Sequence, residues 1–419
     1  MLQCIASLTL PGFPQQTQVL RHALKGVAVA AVSYAPTPAP SARPSFTIVE
    51  VRLPYDPRAS PQLTHVPLPG GAVTALTLVR SSDGEDLYVL AQCQRAPDAD
   101  EEGGGATATY LYKRTEGEAP QDVFDDDAIE TNAQRHAYIP YGDDACVYYK
   151  RLPRPVEDDG LRWSCVAPVT TLETSVGGGA AALVVAAGGG GLTDRPTSLQ
   201  LLQVQGTRAA PLCTVELGSL AHFVVEGVLP LPGTSDCVLL RCHHCVVAVD
   251  LAAVLRRAKA GDAAAAPLQQ VWQWTPHDRL TAACVLDRYL FATTEDGAVV
   301  QWALDGALVA SSRALAGAGL RGLHAAHLTE LFTAAADGLY QWDYQDLRAE
   351  MAAGVPGTSA LADYPAATVR AATTTNPFAY VPQRLSEAAL GEELLAMGGD
   401  GGVVAVVGEY GTLQLFVSA

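Results

Sequence analysis

Two nearly identical residue patterns lie near the C-terminal end of the sequence, and each ends on a glutamine and a tryptophan. The first consists of Leu290, Phe291, Asp296, Gly297, Gln301 and Trp302, and the second of Leu331, Phe332, Asp337, Gly338, Gln341 and Trp342. The offset between Leu290 and Leu331 is 331 − 290 = 41 residues, and the register slips by one position before Gln341. A period of roughly 40 to 45 residues is typical of repeats that each form one four-stranded blade of a ring. The repeat therefore predicts an all-β architecture built from blades.

The first pattern has the properties of a β-hairpin. Residues 289–293 are apolar or β-branched, Asp296-Gly297 is a turn signal, and 298–304 is a second apolar run with an aromatic residue. Glycine supplies the positive φ that such a turn requires and so fixes the strand register. A weaker copy near the C-terminus keeps the same five-residue spacing, from Gly411 to Phe416. We therefore expect the aromatic residue to recur at one place in the blade, where it can pack between neighbouring sheets.

These residues resemble the WD-repeat family, whose repeats close with a Trp-Asp pair. Trp342-Asp343 matches that pair literally, whereas the Gly-His pair of the family is missing from most repeats here. The clear match covers about a fifth of the chain. The resemblance implies a divergent β-propeller that acts as a binding platform and scaffold.

The sequence contains eight segments that could each form one blade. They are 17–66, 71–113, 136–172, 180–217, 223–274, 279–315, 320–344 and 394–417. Because the first lacks a clear innermost strand and seven blades are commoner in the family, we predict seven four-stranded blades, with eight as the alternative. Residues 2–10 have no partner hairpin nearby and could supply the missing outer strand of the last blade. Such pairing of the N- and C-terminal strands would close the ring and protect its sheet edges.

Composition indicates one large domain over residues 1–419. Hydrophobic residues make up 49% of the chain and charged residues 17%, so it can bury a large core. No disordered linker divides it, and no run of 18 apolar residues could span a bilayer. The N-terminus also lacks the basic residues of a secretory signal. We therefore expect an intracellular protein, in the cytoplasm or the nucleus, with four segments inserted in the propeller: 35–44, 98–130, 250–266 and 349–386.

The net charge of −17 is concentrated in the inserted segment 98–130. Its acidic residues are Asp98, Asp100, Glu101, Glu102, Glu116, Glu118, Asp122, Asp125, Asp126, Asp127 and Glu130. Like charges at this density repel one another and stay solvated, which favours a solubilising loop; a docking strip for a basic partner is the alternative. The phosphate backbone of nucleic acid would be repelled, so no direct nucleic-acid partner is expected.

Nine cysteines are scattered along the sequence, mostly inside apolar runs, which favours buried free thiols. The exception is Cys242-His243-His244-Cys245, where a Cys-x-x-Cys pair is a weak candidate for zinc. A structural zinc site needs four ligands, and no second pair lies nearby. Strand alternation would also place Cys242 and Cys245 on opposite faces unless a turn intervenes. We therefore expect core cysteines, with metal binding and redox chemistry as the alternatives.

Residues 250–260 predict a short amphipathic helix within the inserted segment 250–266. Asp250 is a good N-cap, and Leu251, Val254, Leu255 and Ala258 form one apolar stripe. Arg256 and Arg257 suit the negative end of the helix dipole. The stripe is expected to pack on a blade edge, and the alternative is a handle for a partner.

Two segments rich in proline are expected to project as loops. Segment 35–44 contains Pro36, Pro38, Pro40 and Pro44 and should be extended. Segment 349–386 is the longest stretch without β periodicity, and loops longer than about 15 residues are usually functional or disordered. Tyr364, Phe378 and Tyr380 give it aromatic surface with which to contact a partner or another part of the ring.

Motifs for catalysis are weak in this sequence. The glycine runs 177–179 and 188–191 lack the Lys-Ser/Thr of a phosphate-binding loop, and there is no Gly-x-Ser-x-Gly or His-Glu-x-x-His. We therefore expect a non-catalytic scaffold subunit of a larger complex, whose partners are other protein subunits, with no cofactor and no small-molecule substrate. The alternative is an enzyme or a small-ligand or metal-binding propeller with its site in the central channel.

Overall fold

In a computed structural model, the chain forms seven antiparallel sheets arranged as a ring. The structure describes residues 2–35, 45–55, 61–66, 68, 72–81, 83–94, 107–117, 136–141, 145–152, 161–169, 182–190, 195–206, 208–220, 223–231, 237–260, 268–273, 278–286, 289–306, 308–312, 315, 317–326, 330–343, 383–385 and 391–418. Within these ranges, no helix is both long enough and apolar enough to cross a membrane.

The strands are numbered in chain order from β1 (Leu2–Thr9), and the first three blades follow it. The first blade contains β2 (Pro14–His22), β3 (Val27–Tyr34), β4 (Phe46–Arg52) and β5 (Gln62–Val66). The second contains β6 (Val73–Arg80), β7 (Leu87–Gln94), β8 (Thr107–Gly117), β9 (His136–Tyr141) and β10 (Ala145–Arg151). The third contains β11 (Trp163–Val169), β12 (Ala182–Gly188), β13 (Ser198–Gln205) and β14 (Arg208–Glu216).

The remaining four blades complete the ring. The fourth contains β15 (Val225–Pro230), β16 (Cys237–Cys242), β17 (Cys245–Asp250) and β18 (Leu268–Gln273). The fifth contains β19 (Leu280–Leu286), β20 (Tyr289–Thr294), β21 (Val299–Ala303) and β22 (Leu308–Ser312). The sixth contains β23 (Leu320–Ala326), β24 (Glu330–Ala335), β25 (Gly338–Asp343) and β26 (Gln383–Arg384). The seventh contains β27 (Leu394–Asp400), β28 (Val403–Gly408), β29 (Thr412–Ser418) and β1.

The predicted seven blades and the closure of the ring are both confirmed. Each innermost strand contacts the innermost strand of the next blade, and β27 contacts β2, so the circle is complete. The N-terminal strand β1 pairs antiparallel with β29, from Leu2 opposite Ser418 to Thr9 opposite Thr412. Ring closure therefore depends on two strands from opposite ends of the sequence.

The third predicted blade segment, 136–172, is wrong as a unit. Its first part forms β9 and β10, which extend the second blade to five strands, and its last part contains β11, the innermost strand of the third blade. The physical reason is the length of β8: its first residues pair with β7, whereas its last residues pair with β10. The first blade does have an innermost strand, β2, which the sequence hides because residues 15–18 are four consecutive polar residues, Gln-Gln-Thr-Gln.

The core consists of apolar layers between adjacent blades. Trp302 packs in a cluster with residues of the fourth and fifth blades, Trp342 with the fifth and sixth, and Phe416 with the sixth and seventh. All three rings are buried. The predicted recurrence of one aromatic residue between neighbouring sheets is therefore confirmed. The turn glycines also behave as predicted, since Gly297 and Gly411 both have a φ of 90°.

The predicted helix forms over Leu251–Lys259, between β17 and β18. Its N-cap is Asp250, whose Oδ1 accepts a hydrogen bond from the amide of Ala253 at 2.8 Å. Leu251 and Val254 are fully buried and pack with apolar residues of the third and fourth blades. The apolar stripe therefore lies on the blade edge, as predicted.

Candidate functional site

The seven innermost strands enclose a central channel that opens on both faces of the ring. We call the face on which these strands begin the upper face and the opposite one the lower face. The cavity at the upper mouth has a volume of about 870 Å³ and is lined by the first residues of six innermost strands. The cavity at the lower mouth, about 930 Å³, is lined by later residues of all seven. Gln16, Ser164, Glu226 and Arg241 line both cavities, so the two are parts of one channel.

Glu226 lies at the centre of an ion cluster in the upper mouth. Its Oε2 accepts a hydrogen bond from Arg241 Nη1 at 2.7 Å, and its Oε1 accepts one from Arg279 Nη2 at 3.0 Å. His243 Nδ1 lies 3.3 Å from the same Oε1. Burial opposes ionisation of this carboxyl, but Arg241 and Arg279 together outweigh it and hold the pKa of Glu226 below its ordinary value. The cluster therefore contains an ionised carboxylate at neutral pH.

Arg241 holds this carboxylate in position and joins two blades. Its Nη2 donates to the carbonyl oxygen of Glu226 at 3.0 Å, and its Nη1 donates to that of Leu280 at 2.7 Å. Leu280 is the first residue of β19 in the fifth blade, whereas Arg241 belongs to β16 in the fourth. The side chain of Arg241 is only 13% exposed. Its donors are thus committed to the protein.

Three other arginines at the upper mouth keep their guanidinium groups partly free. Arg162 precedes β11 and forms no hydrogen bond or ion pair with another described residue. The side chain of Arg279 is 44% exposed and donates through Nη2 to Glu226. Arg321, 45% exposed, has its Nη2 2.8 Å from Oε1 of the exposed Glu393. Each planar group retains donors that could bind a carboxylate or another anion.

Three large aromatic side chains are exposed on the upper face. Phe13 precedes β2, Phe223 precedes β15, and Tyr410 lies in the turn between β28 and β29; their exposed fractions are 56%, 39% and 71%. The turn that carries Tyr410 is held against the β1–β2 connection, because the amide of Leu10 donates to the carbonyl oxygen of Gly411 at 2.8 Å. The ring thus presents three exposed aromatic groups on the same face as the charged mouth.

Cys242 and Cys245 flank the two-residue turn between β16 and β17. Because a turn intervenes, both thiols are buried in the same apolar cluster rather than on opposite faces. The hydrogen bond with the Cys245 thiol and burial raise the pKa of Cys242 above its ordinary value. Among the described residues, no group of three or more His, Cys, Asp or Glu side chains is placed to hold a metal ion. Both cysteines are therefore part of the core.

Only two of the sequence-predicted partner residues lie within the described ranges. Arg256 is exposed on the helix and donates to the carbonyl oxygen of Ala252 at 3.3 Å, and Arg257 is half-buried. The helix packs on β14, the outermost strand of the third blade, so both arginines are remote from the channel. The other candidates lie outside the described residues: Asp98, Asp100, Glu101, Glu102, Asp125, Asp126, Asp127, Tyr364, Phe378 and Tyr380.

The inserted segments are also described only in part. Within 98–130, residues 107–117 form β8, and within 349–386, Gln383–Arg384 form the short β26. Of 35–44, only Ala35 is described, and its amide donates to the carbonyl oxygen of Phe13 at 2.8 Å. The first proline-rich segment therefore starts on the upper face, beside an exposed aromatic side chain.

A closed ring of seven antiparallel blades around an open channel defines this chain as a seven-bladed β-propeller. It is similar to the solved structure of BamB from Moraxella catarrhalis, with 11% sequence identity over 100% of this chain and 98% of that chain and a TM-score of 0.43. It is also similar to BBS1N in complex with ARL6DN, with 9% identity over 99% and 96% of the two chains and a TM-score of 0.47. At these identities the likeness concerns the fold alone. No protein-family model matches the sequence, and no curated protein matches it.

Sequence reasoning missed the residues that surround the upper mouth. Glu226, Arg241, Arg279 and Arg321 belong to three different blades, and no local motif connects them. One signal was present: Arg279 and Arg321 lie within one residue of the apolar residue that begins their innermost strand, and so does Arg162. An alignment of the strand starts would have placed all three arginines on the same face.

Proposed function

We propose that this propeller is a non-catalytic scaffold subunit of a larger intracellular complex, similar in role to WD-repeat proteins, and that it binds protein partners through its upper face. The observation that carries this proposal is the combination of exposed aromatic side chains, Phe13, Phe223 and Tyr410, with exposed arginines on one rigid face. Aromatic residues and arginine are enriched in protein interfaces relative to the rest of a protein surface.

These residue types suit binding for physical reasons. An aromatic ring buries a large apolar area and loses little conformational entropy, because it has two side-chain torsions. Arginine buries its apolar stem and still offers a planar set of donors. Both kinds of residue dominate the energetic centres of interfaces. Tyr410 projects from the short turn between the paired strands β28 and β29, and Phe13 from the short connection between β1 and β2, so little ordering of these two residues is needed when a partner binds.

We also propose that the protein works in the cytoplasm or the nucleus. The eight cysteines whose side chains the structure describes are all free thiols, which is what a reducing cytoplasm or nucleus maintains. The acidic groups at the upper mouth also support a role other than catalysis, since Glu226 is held by two guanidinium groups.

A second candidate function is the binding of a small ligand in the channel. The observation that favours it is the lower cavity of about 930 Å³, which lies within the range of ligand pockets and is lined by both polar and apolar residues. A ligand held there would touch the lower parts of the innermost strands, and substitutions on the upper face would leave its binding unchanged.

The test is the recovery of stoichiometric partners by the tagged protein from its native cells. The variant replaces Phe13, Phe223 and Tyr410 with serine. Its matched control replaces Leu212 and Val271, two exposed apolar residues on the outermost strands β14 and β18, with serine. We expect the control to keep the native complex and the triple variant to elute as a monomer. Equal complex formation by both variants would refute binding through the upper face, and a monomeric wild type would favour the second candidate.

A further inference from the structure

The upper mouth of the channel is basic although the protein is strongly acidic. Its described lining contains four arginines and two glutamates, and Glu393, which pairs with Arg321, adds a third glutamate, so the formal charge is 4 − 3 = +1. The described lining of the lower mouth contains three arginines and three carboxylates, a formal charge of 3 − 3 = 0. The chain as a whole carries −17. The upper mouth of the channel therefore carries positive charge, although the net charge of the chain is negative.

The positive charge at this mouth is available to a partner. Glu226 is already neutralised by Arg241 and Arg279, and Glu393, which pairs with Arg321, is 44% exposed to solvent. An exposed ion pair contributes at most about 1 kcal/mol, so an incoming carboxylate can displace Glu393 at small cost. Arg162 has no described ion pair to break.

The three arginines converge on the channel from different blades. Arg162 stands at the start of the innermost strand of the third blade, Arg279 of the fifth and Arg321 of the sixth. A guanidinium group binds a carboxylate through two parallel hydrogen bonds, so three such groups around one opening favour a ligand with several carboxylates. The cavity is open to solvent and continues into the lower cavity, which admits a ligand longer than a single small molecule.

The length of the channel fits an extended peptide. Its walls are strands such as β11, with seven residues, which at about 3.3 Å per residue extend for about 23 Å. A peptide in an extended conformation has the same rise per residue and could pass along the wall. Gln15 and Gln16 line the upper mouth between the arginines. The side-chain nitrogen of Gln16 donates to the carbonyl oxygen of Thr74 at 2.9 Å, which leaves its side-chain oxygen to accept from a peptide backbone.

We propose that the upper mouth binds an extended segment rich in aspartate and glutamate from a protein partner, with its carboxylates paired to Arg162, Arg279 and Arg321. This inference rests on the proposed scaffold function and names the chemistry of one partner segment. Electrostatic attraction between the basic mouth and the acidic segment would raise the association rate and select against basic partners.

The test uses a fluorescein-labelled peptide of eight alternating Asp and Glu residues and fluorescence anisotropy with the full-length protein. The matched peptide contains Asn and Gln at the same positions. We expect saturable binding of the acidic peptide, at least about tenfold weaker binding of the amide peptide, and weakening as salt is added. Arg162→Gln, Arg279→Gln and Arg321→Gln should each weaken binding at least about fivefold, because each removes a charge-assisted contact.

The control variant is Arg256→Gln, which removes an exposed arginine on the helix at the outer rim. It should leave binding unchanged, and thermal unfolding should show that all four variants are folded at the temperature of the binding measurement. Equal binding of the amide peptide, equal loss with Arg256→Gln, or equal competition by a single-stranded DNA of the same charge would each overturn the proposal. DNA competition would indicate a general polyanion surface.

The proposal and the scaffold function can fail separately. If the three arginine variants keep the native complex, whereas the variant lacking Phe13, Phe223 and Tyr410 loses it, the scaffold function stands and the acidic segment is refuted. If neither set changes the complex, binding through the upper face is itself refuted. If the arginine variants and the aromatic triple variant lose the same subunit, the result would support both the scaffold function and the binding of an acidic segment.

Discussion

Glu50 of β4 and Arg114 of β8 form a buried, bidentate ion pair that joins the first blade to the second. Arg114 Nη2 lies 2.6 Å from Glu50 Oε1, and Arg114 Nε lies 2.9 Å from Glu50 Oε2. The Tyr149 hydroxyl donates to the same Oε2 at 3.3 Å, and Glu116 also pairs with Arg114. The side chains of the pair are 0% and 5% exposed, so each charge depends on the other for solvation.

We predict that Glu50→Gln lowers the free energy of unfolding by about 3–5 kcal/mol, because it leaves the Arg114 charge buried without its main partner. The double variant Glu50→Leu with Arg114→Met should recover most of this loss, since it leaves no buried charge. Urea unfolding monitored by tryptophan fluorescence measures both. The exposed Arg256→Gln is the control and should change stability by less than about 0.5 kcal/mol. A double variant as unstable as the single one would contradict the explanation.

We predict that the stabilisation contributed by Glu226 depends on pH. Its pKa in the folded protein lies below the ordinary value of 4.5, so the ionised carboxylate stabilises the fold above that pH. The contribution is lost as the pH falls through the folded pKa. Compared with Glu226→Gln, the wild type should therefore be more stable by about 1–3 kcal/mol at neutral pH and no more stable well below pH 4. Urea midpoints of both proteins across this range measure the difference, and a gap independent of pH would refute it.

We predict that the hydrogen bond between Trp342 and Thr333 stabilises the fold, because both side chains are buried. The indole Nε1 donates to the threonine Oγ1 at 3.0 Å. Thr333→Val should cost about 1–3 kcal/mol, because it keeps the shape and leaves the indole donor unsatisfied. In a Trp342→Phe background the same substitution should be nearly neutral, since no donor remains. A double-mutant cycle by urea unfolding measures this coupling, and additive losses would argue against it.

We predict that the closing strand β1 tolerates a charge at the exposed Ser7 but not at the buried Ile5. Ile5 is buried in the layer between the seventh and first blades, whereas Ser7 is exposed. Ile5→Asp should destabilise the fold by about 3–5 kcal/mol and promote self-association, because release of β1 exposes the edge of β29. Ser7→Asp on the same strand should have little effect. Thermal unfolding and size-exclusion chromatography distinguish the two, and equal behaviour would contradict the role of β1.

Much of the fold could be predicted from sequence because blades repeat. Trp302, Trp342 and Phe416 recur at one register position and lie between sheets, as the pattern predicts. The five-stranded second blade could not be predicted, since it depends on the length of β8, and hydrophobic periodicity does not show which neighbour a strand pairs with.

The candidate site was less predictable than the fold. The pair Cys242 and Cys245 was conspicuous in the sequence, yet the turn between them directs both into the core. Glu226 and Arg279, which lie 53 residues apart, carry no mutual signal in the sequence. Their pairing results from two neighbouring blades meeting at the channel.

The pairing of Leu2 with Ser418 has a consequence for biosynthesis. Strand β1 belongs to the last blade, and after its synthesis it has to wait for more than 400 residues before its partner β29 is made. Contacts of such large sequence separation form slowly, and an unpaired strand edge is prone to aggregation in the meantime. We therefore expect the nascent chain to assemble its blades in order from the first, and to depend on chaperones until β29 has been made.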